Sequence, residues 1–369
     1  MKYKLKDIAK IKYGKNQKKV VSPNGKIPIY GTGGLMGYAK ESLYEKTSVL
    51  IGRKGTINKV RYVTHPFWTV DTLFYTIIDE KIIRPHYFYY LMTQIDLLQL
   101  NEGTTIPSLR TETLNRIELE VPTLEKQDKI LSCVEPIEQK IELNKKINNN
   151  LEQQAEVLFQ SILSNAVTTV NLGEIADVKG GKRLPKGVNL IDIPNTHPYI
   201  RVRDLNNVLF ASLTPNYAYV DEETQKSISR YIVSTGDVLI SIVGTIGLTA
   251  IVDSTLDKAN LTENCVKVTN LKHMTPEYLL LYLRSQLGRE AITKGTVGAV
   301  QQKLPIKNIQ TIPIPLLSEK DKNTLFCILD SIFAEISSNV IQSAKLSSLR
   351  DTLLPKLMSG EIDVSDIAL

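Results

Sequence analysis

The chain is written twice, once on either side of a long helical stretch. LKDIAKIKYGK, starting at Leu5, returns as LGEIADVKGGK, starting at Leu172. Leu5, Ile8, Ala9, Lys12, Gly14 and Lys15 meet Leu172, Ile175, Ala176, Lys179, Gly181 and Lys182 at one constant offset. VLIGRKGTI (Val49 to Ile57) returns as VLISIVGTI (Val238 to Ile246). Pro85 and Tyr87 then meet Pro276 and Tyr278, Gly103 meets Gly295, and Pro122 meets Pro315. The offset widens along the chain, so insertions lengthen the second copy. A solenoid repeats every 20–50 residues or so; this far longer period means two copies of one domain.

Between and after the copies lie two helical stretches with the same seam. Ile130, Val134, Ile137, Ile141, Asn144, Asn148, Leu151, Ala155, Leu158 and Ile162 alternate steps of four and three, the a/d pattern of a coiled coil. An offset of 195 carries this series to Leu325, Leu329, Ile332, Ile336, Asn339, Ser343, Leu346, Arg350, Leu353 and Leu357. Both seams turn polar at the same two central positions, which costs stability but fixes register. Pairing is expected through Ile137, Ile141, Asn144, Asn148 and Leu151 with Ile332, Ile336, Asn339, Ser343 and Leu346. Pro136 should kink the first helix, or begin the long segment after a short one.

The expected fold class is therefore α/β (α+β): two repeated globular domains separated by two long helices packed as an antiparallel coiled coil. The boundaries read 1–122, 123–169, 170–315 and 316–369. Within the first copy, IPIY, GTGGLMG, SVLIG, VRYV and TLFYTI read as strands and glycine turns. A helix should start near Pro85 and carry Tyr87, Phe88, Leu91, Ile95 and Leu98. Its counterpart should start at Thr275–Pro276, with a threonine cap, and end before Gly295. Each copy should close on a strand ending in proline, IELEVP (117–122) and TIPIP (311–315).

Composition excludes several classes. No apolar run approaches the roughly 18 residues of a membrane span, and MKYKLKDIAK lacks a signal-peptide core; a cytoplasmic protein without membrane contact is expected. Cys133, Cys265 and Cys327 are scattered and read as buried thiols in a reducing compartment. His65, His86, His197 and His273 lack metal-ligand spacing. GTGGLMG (Gly31 to Gly37) has Met36 where a dinucleotide fingerprint needs glycine, so a chain reversal or a close backbone approach is expected. KGGKR (Lys179 to Arg183) has Ala176 and Arg183 at positions a phosphate-binding loop reserves for other residues. With no metal-dependent nuclease cluster or GxSxG context, no catalytic residues are expected.

Positive charge is distributed tellingly. Lys and Arg number 45 against 39 Asp and Glu, a net charge of +6. Lys15, Lys18 and Lys19, with Asn16, and then Arg53, Lys54, Lys59 and Arg61 give the first copy its basic clusters. Lys182, Arg183, Arg201 and Arg203 do the same for the second. A solvated lysine-rich surface would explain any one cluster; recurrence in both copies favours a polyanion. The loops GTTIPSLR (Gly103 to Arg110) and GTVGAVQQK (Gly295 to Lys303) offer base-reading side chains: Thr104, Thr105, Ser108 and Arg110, and Thr296, Gln301, Gln302 and Lys303. Tyr13, Tyr30, Tyr38 and Tyr44 read as core or rim packing.

In order and duplication, the chain resembles the specificity subunit of type I restriction–modification systems. PIYGTGGLMGY (Pro28 to Tyr38), SVLIGRKGTI (Ser48 to Ile57) and FWTVDTLF (Phe67 to Phe74) look like its target-recognition domain. LEVPTLEKQDKILSCVEPIEQKIELN (Leu119 to Asn144) resembles its central spacer, and LLPKLMSGEIDV (Leu353 to Val364) its ending. The resemblance implies that each copy reads one half of a split site in double-stranded DNA. It implies that the helices set the half-site spacing and dock two methylation subunits, which motor-nuclease subunits can join. No cofactor is expected in this chain; S-adenosylmethionine, and ATP with Mg for cleavage, are expected on the partners. Two rival classes are a coiled-coil adaptor binding proteins rather than DNA, and an enzyme with unrecognised catalytic residues.

Overall fold

The computed structural model describes residues 1–214, 217–299 and 301–367. It forms two compact units: Met1–Ile141 with Lys345–Leu369, and Glu142–Ala344. Each holds one globular copy together with part of both long helices.

In the first unit a four-stranded antiparallel sheet runs in the order Ala9–Tyr13, Leu73–Ile78, Ser48–Gly52, Val60–Val63. Ser48–Gly52 is buried along its whole length, as its unbroken apolar run requires. A second sheet joins the hairpin Ile27–Gly31 and Gly34–Ala39 to Trp68–Thr69, which lies parallel to the hairpin's first strand. The core gathers Leu5, Ile8, Val49, Ile51, Phe74 and Phe88 against Ile130, Val134, Leu354 and Leu357 of the helices. The second unit has a five-stranded sheet in the order Asp177–Gly180, Cys265–Thr269, Val238–Ser241, Thr249–Val252, Phe210–Ala211. Its core sets Val238, Ile240, Val266 and Leu279 against Ala155, Phe159, Leu325, Leu329 and Phe333.

The duplication holds at the level of register. Lys2 pairs with Glu120 across one terminal strand pair, and Thr169, its repeat counterpart, pairs with Pro315 across the other, so Pro315 answers structurally to Glu120 and not to Pro122. A one-turn helix follows in each copy, Leu5–Ile8 and Leu172–Ile175. The mid-domain helices differ from the sequence expectation. The first is Pro85–Thr93, so Ile95 and Leu98 fall in the turns beyond it. The second splits into Pro276–Arg284 and Gln286–Gly295, because Ser285 turns extended and caps the next helix by accepting from Gly288 N. Thr275 caps the first piece as expected.

The central helix runs unbroken from Leu124 to Leu163, 40 residues, or about 60 Å at 1.5 Å per residue. Pro136 lies inside it, so no separate short segment precedes the long one. The C-terminal helix is Glu319–Ser359 and stops at Gly360, whose positive φ suits a helix end. By length and composition alone this second helix could cross a membrane, contrary to the sequence reading. Its Leu325, Leu329, Phe333 and Ile336 are instead buried in the core of the second unit.

The helices pair antiparallel within each unit. In the second, Asn144 Nδ2 donates to Gln342 Oε1 (2.8 Å) and Ser343 Oγ (3.2 Å), while Asn339 Nδ2 donates to Asn148 Oδ1 (2.9 Å). Exchanging the two helices carries the Asn144–Ser343 contact onto the Asn339–Asn148 contact, so the seam keeps the symmetry of the repeat. In the first unit Arg350, at a seam position, reaches Glu138 (3.4 Å) rather than apolar neighbours. Ile137, Ile141, Leu151, Ile332 and Leu346 are partly buried, and Ile336 fully.

A charged cluster joins the first copy to its part of the central helix. His86 lies flat between Tyr62 and Tyr90, with ring centroids at 4.6 and 4.5 Å. Its Nδ1 is 2.8 Å from Glu135 Oε1 and its Nε2 3.1 Å from Glu138 Oε2. Two carboxylates on two ring nitrogens suit the imidazolium, which donates from both. Burial opposes the charge, but the bonds to Glu138 and Glu135 outweigh it and hold the pKa above the usual histidine value.

A raised folded pKa contributes stability that is complete below the unfolded value, about 6.5, and is lost as pH rises through the folded value. His86→Gln should therefore cost about 1–3 kcal/mol at pH 6 and less at pH 9, measured by urea unfolding; an equal cost at both would contradict a charged ring. Asn339→Leu should cost about 1–3 kcal/mol in thermal unfolding, because it strips Asn148 Oδ1 of its donor. A variant as stable as the parent would mean the amides do not hold the seam.

Candidate nucleic-acid interface

Three segments converge at one end of the first copy. The turn after the central strand meets the loop 101–110 through main-chain bonds: Leu109 N donates to Arg53 O (2.9 Å) and Gly55 N to Pro107 O (2.9 Å), with a bridge between Lys54 and Ser108. The segment after the first strand joins the same framework, Gly14 N donating to Leu73 O and Arg53 N to Thr72 O. The loop is closed from within. Asn101 Oδ1 accepts from Gly103 N and Ser108 N, both at 2.8 Å. A methyl on Gly103 would stand 1.9 Å from Ile106 O, so only glycine fits there.

This framework brings Arg53, Lys54, Thr104, Thr105 and Ser108 together. Arg53 is held by Asp71 O (2.8 Å) and lies 5.2 Å from the ring centre of the exposed Tyr13. Arg110 is paired with Glu102 (3.0 Å). Lys15, Lys18 and Lys19 are exposed in the loop after the first strand, where Asn16 Oδ1 accepts from Lys18 N. Arg61 lies beside the glycine hairpin, near Gly34, and Lys59 is exposed two residues before it. Tyr30 hydrogen-bonds His65 and Tyr44 packs on Phe67, as expected of rim and core residues. Tyr38, like Tyr13, is half exposed. The Gly31–Gly37 turn joins two antiparallel strands, not a strand to a helix.

The second copy rebuilds the framework with other side chains. Leu304 N donates to Ile242 O (3.0 Å), Val243 bridges to Lys303, Gly181 N donates to Cys265 O and Ile242 N to Asn264 O. Gly14 and Gly181 are both irreplaceable, since a methyl on either would come within 2.0 Å of a carbonyl oxygen, that of Val70 or Thr262. The loop itself corrects the sequence alignment. Glu102 N donates to Ser108 O in one copy and Val297 N to Lys303 O in the other, each at 2.9 Å. A methyl on Gly298 would meet Gln301 O at 2.4 Å, just as one on Gly103 would meet Ile106 O. The counterpart of Gly103 is thus Gly298, not Gly295, which ends a helix.

Gln301, Gln302 and Lys303 are exposed on this second loop, whereas Val300 lies outside the described residues. The Thr296 hydroxyl donates back to Ile292 O (2.9 Å) and faces its own helix. Lys182 lies 5.4 Å from the Tyr231 ring centre, and Arg183 is 3.7 Å from Glu263. Arg201 is committed locally: its main-chain N and Nε both donate to Asp204 Oδ2, at 2.8 and 3.1 Å. Arg203 is more open, 3.7 Å from the same carboxylate. Among the described residues no group of three or more His, Cys, Asp and Glu is placed to hold a metal ion. Sequence reasoning missed two exposed side chains at the hairpin tip, Leu35 and Met36, whose only sequence signal is a pair of large apolar residues between glycines.

What these ends offer chemically is binding: donors, acceptors and cations on loops whose main chain is fixed. Comparison with known proteins agrees with the duplication. A family model described as type I restriction modification DNA specificity domain matches residues 1–153 and again residues 165–346. The MjaIX specificity subunit of a type I restriction enzyme from Methanocaldococcus jannaschii is 22% identical over 358 residues, covering 88% of this chain and 80% of that one. The HindI specificity subunit from Haemophilus influenzae is 22% identical over 383 residues, covering 80% of this chain and 81% of its own. A crystal structure of a type I restriction–modification S subunit from M. genitalium shares the fold, with a TM-score of 0.61 at 17% identity over 97% of this chain and 95% of that one. With tandem matches over most of its length, this chain belongs to the type I restriction–modification DNA-specificity family.

Proposed function

We propose that this chain is the specificity subunit of a type I restriction–modification assembly. Each globular copy reads one half of a bipartite, asymmetric site in double-stranded DNA. The observation that carries this reading is one main-chain framework, built twice, with different side chains at its tips. A common scaffold with divergent tips is what two unlike half-sites require. Exposed lysines such as Lys54 and Lys182 bind phosphates and set position; Thr104, Thr105, Gln301 and Gln302 face base edges and set sequence. The two helices set the half-site spacing and dock two methylation subunits.

The chain itself carries no reaction. Transfer of a methyl group from S-adenosylmethionine to adenine N6 belongs to the methylation subunits. ATP- and Mg-dependent cleavage belongs to motor-nuclease subunits where they join. All of this takes place in the cytoplasm.

Mapping methylated adenines in the host genome, with and without this chain, tests the function directly: one bipartite motif should vanish with the gene. Replacing residues 170–315 with the corresponding domain of a relative should change one half of that motif and leave the other intact. A change in both halves would refute modular reading. Lys54→Ala and Lys182→Ala should each weaken binding of the assembled complex to all DNA sequences alike. Each should lower the slope of log K against log salt by about 1; an unchanged slope would remove that lysine from the phosphate contacts.

A further inference from the structure

Just past its Thr32–Gly33 turn, the hairpin of the first copy carries two large apolar side chains that are more than half exposed. Leu35 is 54% exposed and Met36 59%. The ladder shifts register between Ile29 and Tyr30: Tyr30 faces Leu35 and Ile29 faces Gly37, so Met36 has no partner across the pair. A bulge of this kind re-aims side chains. The Met36 thioether lies over Gly31, where a methyl would collide with its sulfur, so the arrangement is built into the sequence.

Cations bracket this tip. A methyl on Gly34 would stand 3.3 Å from the Arg61 guanidinium, and one on Gly55 would stand 3.7 Å from Thr32 Oγ1 at the turn of the hairpin. Gly55 directly follows Arg53 and Lys54. The apolar pair therefore sits among charges suited to phosphates. A two-stranded ribbon fits the major groove, about 12 Å wide. On the edges of the bases in the major groove, the distinctive apolar group is the C5-methyl of thymine.

We propose that Leu35 and Met36 are specificity-determining residues that pack on a thymine C5-methyl in the half-site read by the first copy. This rests on the DNA-reading function proposed above and adds its chemistry. On the neighbouring loop the second copy has Gln301 and Gln302 where the first has Ile106 and Pro107, so the two copies also differ there.

The test uses the assembled methyltransferase complex and the motif defined by methylation mapping. Each thymine of the site is replaced in turn by deoxyuridine, which lacks only the methyl group. At one or two positions in the half-site read by residues 1–122, binding should weaken about 3- to 10-fold. The variant L35A/M36A should bind thymine and deoxyuridine at those positions equally well. Its salt-dependent binding to unrelated DNA should match the parent's, which separates lost reading from lost folding. Tolerance of deoxyuridine throughout that half-site by a parent complex that still binds its motif specifically would overturn the proposal. So would thymine preference that survives in L35A/M36A. A parent complex with no site-specific binding would instead overturn the proposed function, and this inference with it.

Discussion

One main-chain hydrogen bond, made twice, organises both interfaces. Leu109 N donates to Arg53 O in the first copy and Leu304 N to Ile242 O in the second. Each ties the loop that carries candidate readers to the turn leaving the central, fully buried strand. The strand is fixed by the core, so the turn is fixed, and the loop inherits that position. Crowded glycines complete the device. At Gly14 and Gly181, and again at Gly103 and Gly298, a carbonyl occupies the space that a side chain would need. Apart from Asn101, whose Oδ1 closes the first loop, the arrangement rests on main-chain groups.

This explains which parts of the fold were legible in the sequence. The repeat was visible because the framework fixes its glycines and its buried strand. The seam was visible because helix pairing imposes a period. Phe159 and Phe333 escaped that pattern: they leave the seam to join the globular core, where Phe159 meets Tyr278 edge-on at 5.2 Å. The end of the first mid-domain helix is not legible in the sequence, because Ile95 and Leu98 keep helical spacing after the helix has stopped. Gly103 aligns with Gly295 in sequence because a glycine at a helix end looks, in a string of letters, like a glycine in a turn. Only the main-chain bonds tell them apart. Charge alone does not show that Asp204, three residues on, engages the Arg201 side chain.

Each globular copy is also fastened to the central helix by a half-buried ionic contact, and the two fastenings differ. In the first unit His86 sits between Glu135 and Glu138, with Arg350 on the second of these. In the second unit Arg284 reaches Glu152 (3.3 Å) and donates to Thr249 O (2.7 Å). Such pairs gain little net stability over apolar packing, because desolvation offsets attraction. They do penalise misalignment, since a shifted helix would leave a half-buried charge without its partner. The long helices are thus indexed against each domain by electrostatics as well as by the periodic seam.

Because the exposed tips hang from peptide groups rather than from their own side chains, replacing them is a surface event. Substitutions of that kind typically shift stability by no more than about 0.5 kcal/mol. New target sequences are then reachable one residue at a time, through intermediates that all remain folded. The immovable glycines underneath make that freedom possible: a rigid mount lets a lineage exchange its vocabulary without disturbing its grammar.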